Sequence, residues 1–130
     1  MRICFIGGGN MATALISGIS KSAESPEWIH VSEPNPQARA QLEASYPVQC
    51  FETAIEASAG ANAIILAIKP QIMPVVLAEL EGEVSPDQLI ISIAAGVTIA
   101  TIQEALGDVS VIRVMPNTPA LIGLGISGMY

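Results

Sequence analysis

The chain has 130 residues, 51% hydrophobic and 13% charged, with a formal net charge of −7. That length is one domain, long enough to bury a core without disulfide staples, and the acidic balance argues against a nucleic-acid backbone as partner, which needs a basic field. So apolar a composition fits a sheet covered on both faces, or a domain with an apolar face that expects a partner. Met1 and Arg2 run straight into a strand-like segment rather than a signal sequence. The longest apolar run, residues 63–68, is too short to span a membrane. The expectation is a soluble, cytoplasmic protein.

In chain order, residues 3–6 (Ile-Cys-Phe-Ile) are an apolar run ended by glycines and predict a buried strand. Apolar residues at 11, 12, 15, 16 and 19 predict a helix over 10–21, with Asn10 at the cap position. Residues 22–27 predict a loop. A second strand runs over 29–32, begun near His30 and ended by Pro34 and Pro36. An exposed helix follows over 36–45, with Ala38 and Leu42 facing inward. A short strand is expected at 48–51 and a short helix at 52–59. The unbroken apolar run 63–68 predicts a buried strand ended by Lys69-Pro70. A helix over 72–80 tolerates Pro74 in its first turn. A strand over 89–94, a helix over 98–106 capped by Thr98, and a strand over 111–115 complete the pattern. Strand–helix alternation of this kind predicts an α/β fold, a doubly wound parallel sheet of Rossmann type, over residues 1–115. Residues 116–130 read as a loop or tail, rich in Pro, Gly, Thr and Ser.

The run Gly7-Gly8-Gly9-Asn10-Met11-Ala12 fits G-x-G-x-x-A between a strand and a helix. Gly7 allows the tight turn, Gly9 lets a pyrophosphate approach the backbone, and Ala12 lets the helix pack close. The helix start then offers free N–H groups and a positive dipole end. The end of the second strand, Ser32-Glu33-Pro34-Asn35, should face the adenosine ribose. An acid there favours NAD and a base favours NADP. Glu33 is the acid, Arg39 is the nearest cation, and Ser32 and Asn35 can bind a phosphate, so the choice stays open. Glu33 can equally be a solvated turn residue.

Ligands of such sheets sit at the carboxyl ends of the strands. Ala67 and Lys69 follow the fourth strand, and Ala94, Ala95 and Gly96 the fifth. The stiff Pro116-Asn117-Thr118-Pro119 loop follows the last and would hold Asn117 and Thr118 in fixed geometry. Lys69 also has a bland reading as a solvated strand end. Cys4 and Cys50 lack a CxxC or metal-like neighbourhood, and His30 joins no catalytic or zinc constellation. No metal site is expected.

The set Gly-Gly-Gly-Asn-Met-Ala, Ala-Ile-Lys-Pro, Ser-Ile-Ala-Ala-Gly-Val-Thr and Arg-Val-Met-Pro-Asn-Thr-Pro resembles pyrroline-5-carboxylate reductase over the whole chain. The resemblance implies reduction of 1-pyrroline-5-carboxylate to L-proline with NADPH or NADH. It implies cofactor contacts at Gly7, Gly9, Asn10 and Met11, near Ser32, at Ala67 and Lys69, and at Ala94 to Gly96, with Asn117 near the nicotinamide and substrate end. It also implies a homo-oligomer for the full-length protein. Two departures stand out. Ala54 takes a place where family members often carry an asparagine near the adenosine. The family's second, all-helical domain, which makes the dimer and much of the substrate pocket, would begin about where this chain ends. The 130 residues alone are therefore expected to bind cofactor but to turn substrate over very slowly or not at all. Two alternatives remain: a non-catalytic dinucleotide-binding module, and a related reductase such as a deazaflavin-dependent NADP reductase or a β-hydroxyacid dehydrogenase. The Pro-Asn-Thr-Pro loop argues against the second.

Overall fold

A computed structural model describes residues 1–21 and 26–114. Its elements are β1 (Arg2–Ile6), α1 (Asn10–Ser20), β2 (Trp28–Ser32), α2 (Pro36–Ser45), β3 (Gln49–Phe51), α3 (Ala54–Ser58), β4 (Ala63–Leu66), α4 (Met73–Leu80), β5 (Leu89–Ser92), α5 (Ile99–Leu106) and β6 (Ser110–Arg113). All six strands pair in parallel, in the order β3-β2-β1-β4-β5-β6. This is the doubly wound Rossmann-type sheet the alternation predicts.

The two faces of the sheet explain why its strands are continuous apolar runs. Side chains alternate across a strand, so Ile3 and Phe5 join one core while Cys4 and Ile6 join the other. In β4, Ala63 and Ile65 share the first core and Ile64 and Leu66 the second. Helices α1 and α2 cover the first through Ala12, Leu15, Ile16, Ile19 and Leu42. Helices α3, α4 and α5 cover the second, with Ala57, Leu77, Leu80 and Ile102 among their contributions. Each large side chain so buried is worth about 1.5–3 kcal/mol relative to exposure. That outweighs the weak local preference of any one residue, so the faces fix the register.

Most boundaries shift by a residue or two from the sequence pattern, β6 running over Ser110–Arg113, and three of the differences bear on the site. β4 stops at Leu66 and β5 at Ser92, although the apolar runs continue. Ala67 and Ile93 still donate backbone bonds to Ile6 and Leu66, at 2.9 and 3.2 Å; the chain is leaving the sheet there, not crossing it. Asn10 is not the cap of α1: Gly9 is, with φ −78° and ψ −167°, and it brings no side-chain cap bond. The extended backbone that a cap needs falls one residue earlier, inside the glycine turn. His30 lies in the middle of β2, its ring stacked 3.5 Å from that of Trp28 and 4.7 Å from that of Phe51. Among the described residues no helix is long and apolar enough to cross a membrane.

Candidate functional site

The strand order reverses between β1 and β4, and such reversals open a crevice beyond the carboxyl ends of the strands. Gly7 closes the β1 side of it. Its φ of +105° lies where only glycine is at ease, and a Cβ there would run into the carbonyl oxygen of Ala67. Its N–H donates to the carbonyl of Ser32 at 2.8 Å, which ties the turn to β2. Gly7 and Ala67 therefore pack backbone on backbone across the switch point.

Gly9 has the opposite surroundings. A Cβ built on it would meet no atom within 4 Å. Open space stands above the first turn of α1, whose N-cap residue, Gly9, has no side chain to bond it. The backbone N–H groups and positive dipole end of a helix start suit an anion. Thr13 secures the turn from below, its Oγ1 donating to the Gly9 carbonyl at 2.9 Å. A pyrophosphate fits this corner: the space is where a side chain would intrude, and the available partners are backbone donors. Asn10 is exposed and Met11 half-buried in the same turn.

The end of β2 is more crowded. Ser32 is buried. Glu33 is half-buried, and both carboxylate oxygens are engaged: Oε1 accepts from the Gly8 N–H at 3.1 Å and Oε2 from the Asn35 N–H at 2.9 Å. Asn35 caps α2, its Oδ1 accepting from Gln37 N–H at 2.8 Å and Ala38 N–H at 3.1 Å. Arg39 Nη1 donates to the carbonyls of Glu33 and Pro34 at 2.8 and 3.0 Å. The sequence pattern missed the Gly8 contact. G-x-G-x-x-A assigns no role to its second residue, and only the third glycine hinted that a side chain is unwelcome there.

The remaining candidates spread along the same edge of the sheet. Ala67 is half-buried and Lys69 exposed three residues beyond β4. Ala94 is buried in the core, while Ala95 and Gly96 form an exposed turn with Gly96 at φ +77°. Ala54 is buried, and its N–H donates to Glu79 Oε1 at 3.1 Å. Asn117 and Thr118 lie outside the described residues, as does the whole segment 116–130. Two hollows flank the edge. A polar groove of about 270 Å³ between α1 and α2 includes Gly8, Asn10 and Gln41. An apolar one of about 440 Å³ between α4 and α5 includes Met73, Leu77 and Gly96. Neither contains Gly7, Gly9 or Ala67, which form a separate ledge at the carboxyl ends of the strands.

Among the described residues the titratable groups do not form a proton-transfer pair. Burial pushes the Cys4 thiol far up, and burial, then Glu43, pushes the Cys50 thiol up to about 11. Burial lowers His30 below its usual value, opposed by a backbone hydrogen bond with Ala57. Among the described residues no group of three or more His, Cys, Asp or Glu could hold a metal ion. The ledge offers orientation and backbone donors.

Comparison with known proteins agrees with this geometry. A family model described as NADP oxidoreductase, coenzyme F420-dependent, matches residues 2–96. The pyrroline-5-carboxylate reductase of Pseudomonas aeruginosa is 42% identical over 130 residues, 99% of this chain and 48% of that protein. A solved pyrroline-5-carboxylate reductase from Coxiella burnetii superposes with a TM-score of 0.84 at 33% identity, over 91% of this chain and 44% of that one. The Plasmodium falciparum pyrroline carboxylate reductase, solved with NADP bound, gives 0.79 at 26% identity, over 95% and 45%. The chain spans about half the length of the curated relatives it matches.

Proposed function

We propose that this chain, which belongs to the family described as NADP oxidoreductase, coenzyme F420-dependent, is the NAD(P)H-binding part of an enzyme that reduces 1-pyrroline-5-carboxylate to L-proline. One observation carries the binding half of this reading: a helix start with glycine at its N-cap and open space at Gly9, beside a switch point closed by Gly7 and Ala67. The choice of substrate rests on the relatives. The family model ends at residue 96, short of the Pro-Asn-Thr-Pro loop, whereas the reductase relatives match through it. That difference favours the pyrroline reading over a deazaflavin-dependent one.

In this reading the α1 end holds the pyrophosphate through the backbone of Gly7, Gly9, Asn10 and Met11. Ser32, Glu33 and Asn35 meet the adenosine ribose, and Ala67, Lys69, Ala94, Ala95 and Gly96 line the path toward the nicotinamide. Asn117 and Thr118 are proposed near the nicotinamide and substrate. Bound reduced nicotinamide supplies a hydride, and the protein orients it and keeps water away. The receiving carbon belongs to a C=N bond whose nitrogen takes up one proton, so orientation rather than a strong base is required. We also propose that the full-length protein is cytoplasmic and works as a homo-oligomer.

Calorimetric titration of the 130-residue chain with NADPH and with NADH tests the reading. Saturable one-to-one binding of at least one is expected, and binding of neither overturns it. Proline formation assayed on the same chain should be very slow or absent; ordinary turnover would mean that the substrate pocket is built from residues assigned here to the cofactor.

A further inference from the structure

We infer that Glu33 makes the ledge select a ribose with free hydroxyls, so that this chain binds NADH in preference to NADPH. The inference rests on the cofactor-binding reading above and deepens it. Position comes first. Glu33 directly follows the last residue of β2, at the edge where the adenosine ribose of a dinucleotide lies in folds of this order. Its carboxylate is held from two sides, by the Gly8 N–H at 3.1 Å and the Asn35 N–H at 2.9 Å. Two backbone donors on separate strand-to-helix turns fix a carboxylate far better than solvent does. It is a half-buried fixture of the turn rather than a solvated side chain.

Chemistry decides what such a fixture accepts. An ionised carboxylate is acceptor-only, with about four lone-pair sites over its two oxygens. Gly8 and Asn35 use one on each, which leaves one on each for the two O–H donors of a ribose diol. A 2′-phosphate carries about −1.5 to −2 charges near neutral pH and has only acceptors to offer. It would meet a fixed like charge at hydrogen-bonding distance. The cation that might offset this is Arg39. Its Nη1 is bonded to the Glu33 and Pro34 carbonyl oxygens, at 2.8 and 3.0 Å. Among the described residues the ion pair within 4 Å is Arg2 with Glu27, not Arg39 with Glu33. Arg39 thus braces the turn through Nη1 and makes no ion pair with the carboxylate within 4 Å. The family description and the Plasmodium neighbour name NADP; at this position the chain carries a group that selects against it.

The test is a pair of titrations on the 130-residue chain, with NADH and with NADPH, at low and at raised salt. NADH should bind more tightly by about tenfold, close to what a like-charge contact is worth when water screens most of it. Raised salt should narrow the ratio, because the discrimination is electrostatic. Glu33→Gln keeps the shape and removes the charge. It should tighten NADPH by about tenfold while weakening NADH less. Glu33→Ser, which removes the side chain, should move the ratio the same way. NADPH binding as tightly as NADH to the unmodified chain overturns the inference and leaves the cofactor-binding reading standing, as does an unchanged ratio in a folded Glu33→Gln protein. Binding of neither dinucleotide overturns the underlying reading itself.

Discussion

Two strand-to-helix corners stand side by side on this sheet and solve the same problem in opposite ways. At the β2–α2 corner the helix end satisfies itself: Asn35 caps two N–H groups, Pro36 enters at the first helical position, and Arg39 takes the turn's carbonyls. At the β1–α1 corner less of the kind occurs: Thr13 takes the Gly9 carbonyl and Glu33 accepts from the Gly8 N–H. Gly7, Gly8 and Gly9 bring no side chain, and α1 begins without a side-chain cap. Glycine at the N-cap costs only about a few tenths of a kcal/mol relative to asparagine, so what sets this corner apart is the open space at Gly9 rather than lost stability. The closed corner then lends its neighbour one group, since Glu33 reaches across to the Gly8 N–H. One corner satisfies its own helix end, and the other is the one proposed for a ligand.

The sharpest way to break that contrast is Gly7→Ala. A methyl at φ +105° is strained, and it also points into the Ala67 carbonyl, which is backbone and held in place by its own N–H bond to Ile6. Strain alone costs about 1–3 kcal/mol, and the clash adds to it. A loss of roughly 3 kcal/mol or more is expected in urea denaturation. A loss under about 1 kcal/mol would mean that the switch point is not closed by Gly7 and Ala67. Gly9→Val comes next and should separate binding from folding. Its Cβ meets nothing, so stability should change by no more than about 1 kcal/mol, the cost of a poorer cap residue. Dinucleotide affinity should fall by about 2 kcal/mol, roughly thirtyfold, by calorimetry. A variant that binds as well as the parent would remove the pyrophosphate from this corner.

How much of the contrast is legible in the sequence follows from its physics. Strand–helix alternation, Thr98 capping α5 through the Thr101 N–H, and Pro74 in the first turn of α4 are local rules, and each matches the structure. The role of Gly7 is legible because a left-handed turn between strand and helix demands glycine. Three things were not. Asn10 looked like a cap because asparagine often is one, but the glycine turn sets the helix start one residue earlier. The ends of β4 and β5 were overrun because buried chain leaving a sheet is as apolar as the sheet itself. Glu33 could be read as ribose contact or solvated turn, since its partner Gly8 lies 25 residues away and nothing local announces the bond.

The closed corner has its own test. Asn35→Ala removes two capping bonds from α2 and should cost about 1 kcal/mol. In thermal unfolding that is a drop of about 4 °C for a domain of this size. Thr98→Ala should cost a similar amount at α5, where one cap bond runs to Thr101 N–H. If Asn35→Ala costs nothing, the β2–α2 corner is not self-satisfied and the comparison between the corners fails on its stable side.

The smallest effect is expected at Gly8, where the two corners touch. Its φ is not positive, so alanine brings no backbone strain. A Cβ would lie 3.0 Å from Glu33 Oε1, 3.0 Å from Leu42 Cδ1 and 3.3 Å from Glu33 Cβ, so the carboxylate must give by a few tenths of an ångström against the two N–H donors that hold it. Against that crowding stands a gain of about 0.4–1 kcal/mol from a less flexible unfolded chain. The two nearly cancel, so Gly8→Ala should stay within about 0.5 kcal/mol of the parent in urea denaturation. Its consequence should appear in Glu33 instead. The carboxylate must shift to admit the methyl, and the amide resonance of residue 8 should move by NMR as its hydrogen bond lengthens. A loss beyond about 1.5 kcal/mol would show that Glu33 is held too rigidly to yield. An unmoved amide resonance would show that the bond between the corners does not form, and the closed corner would then lend the open one nothing.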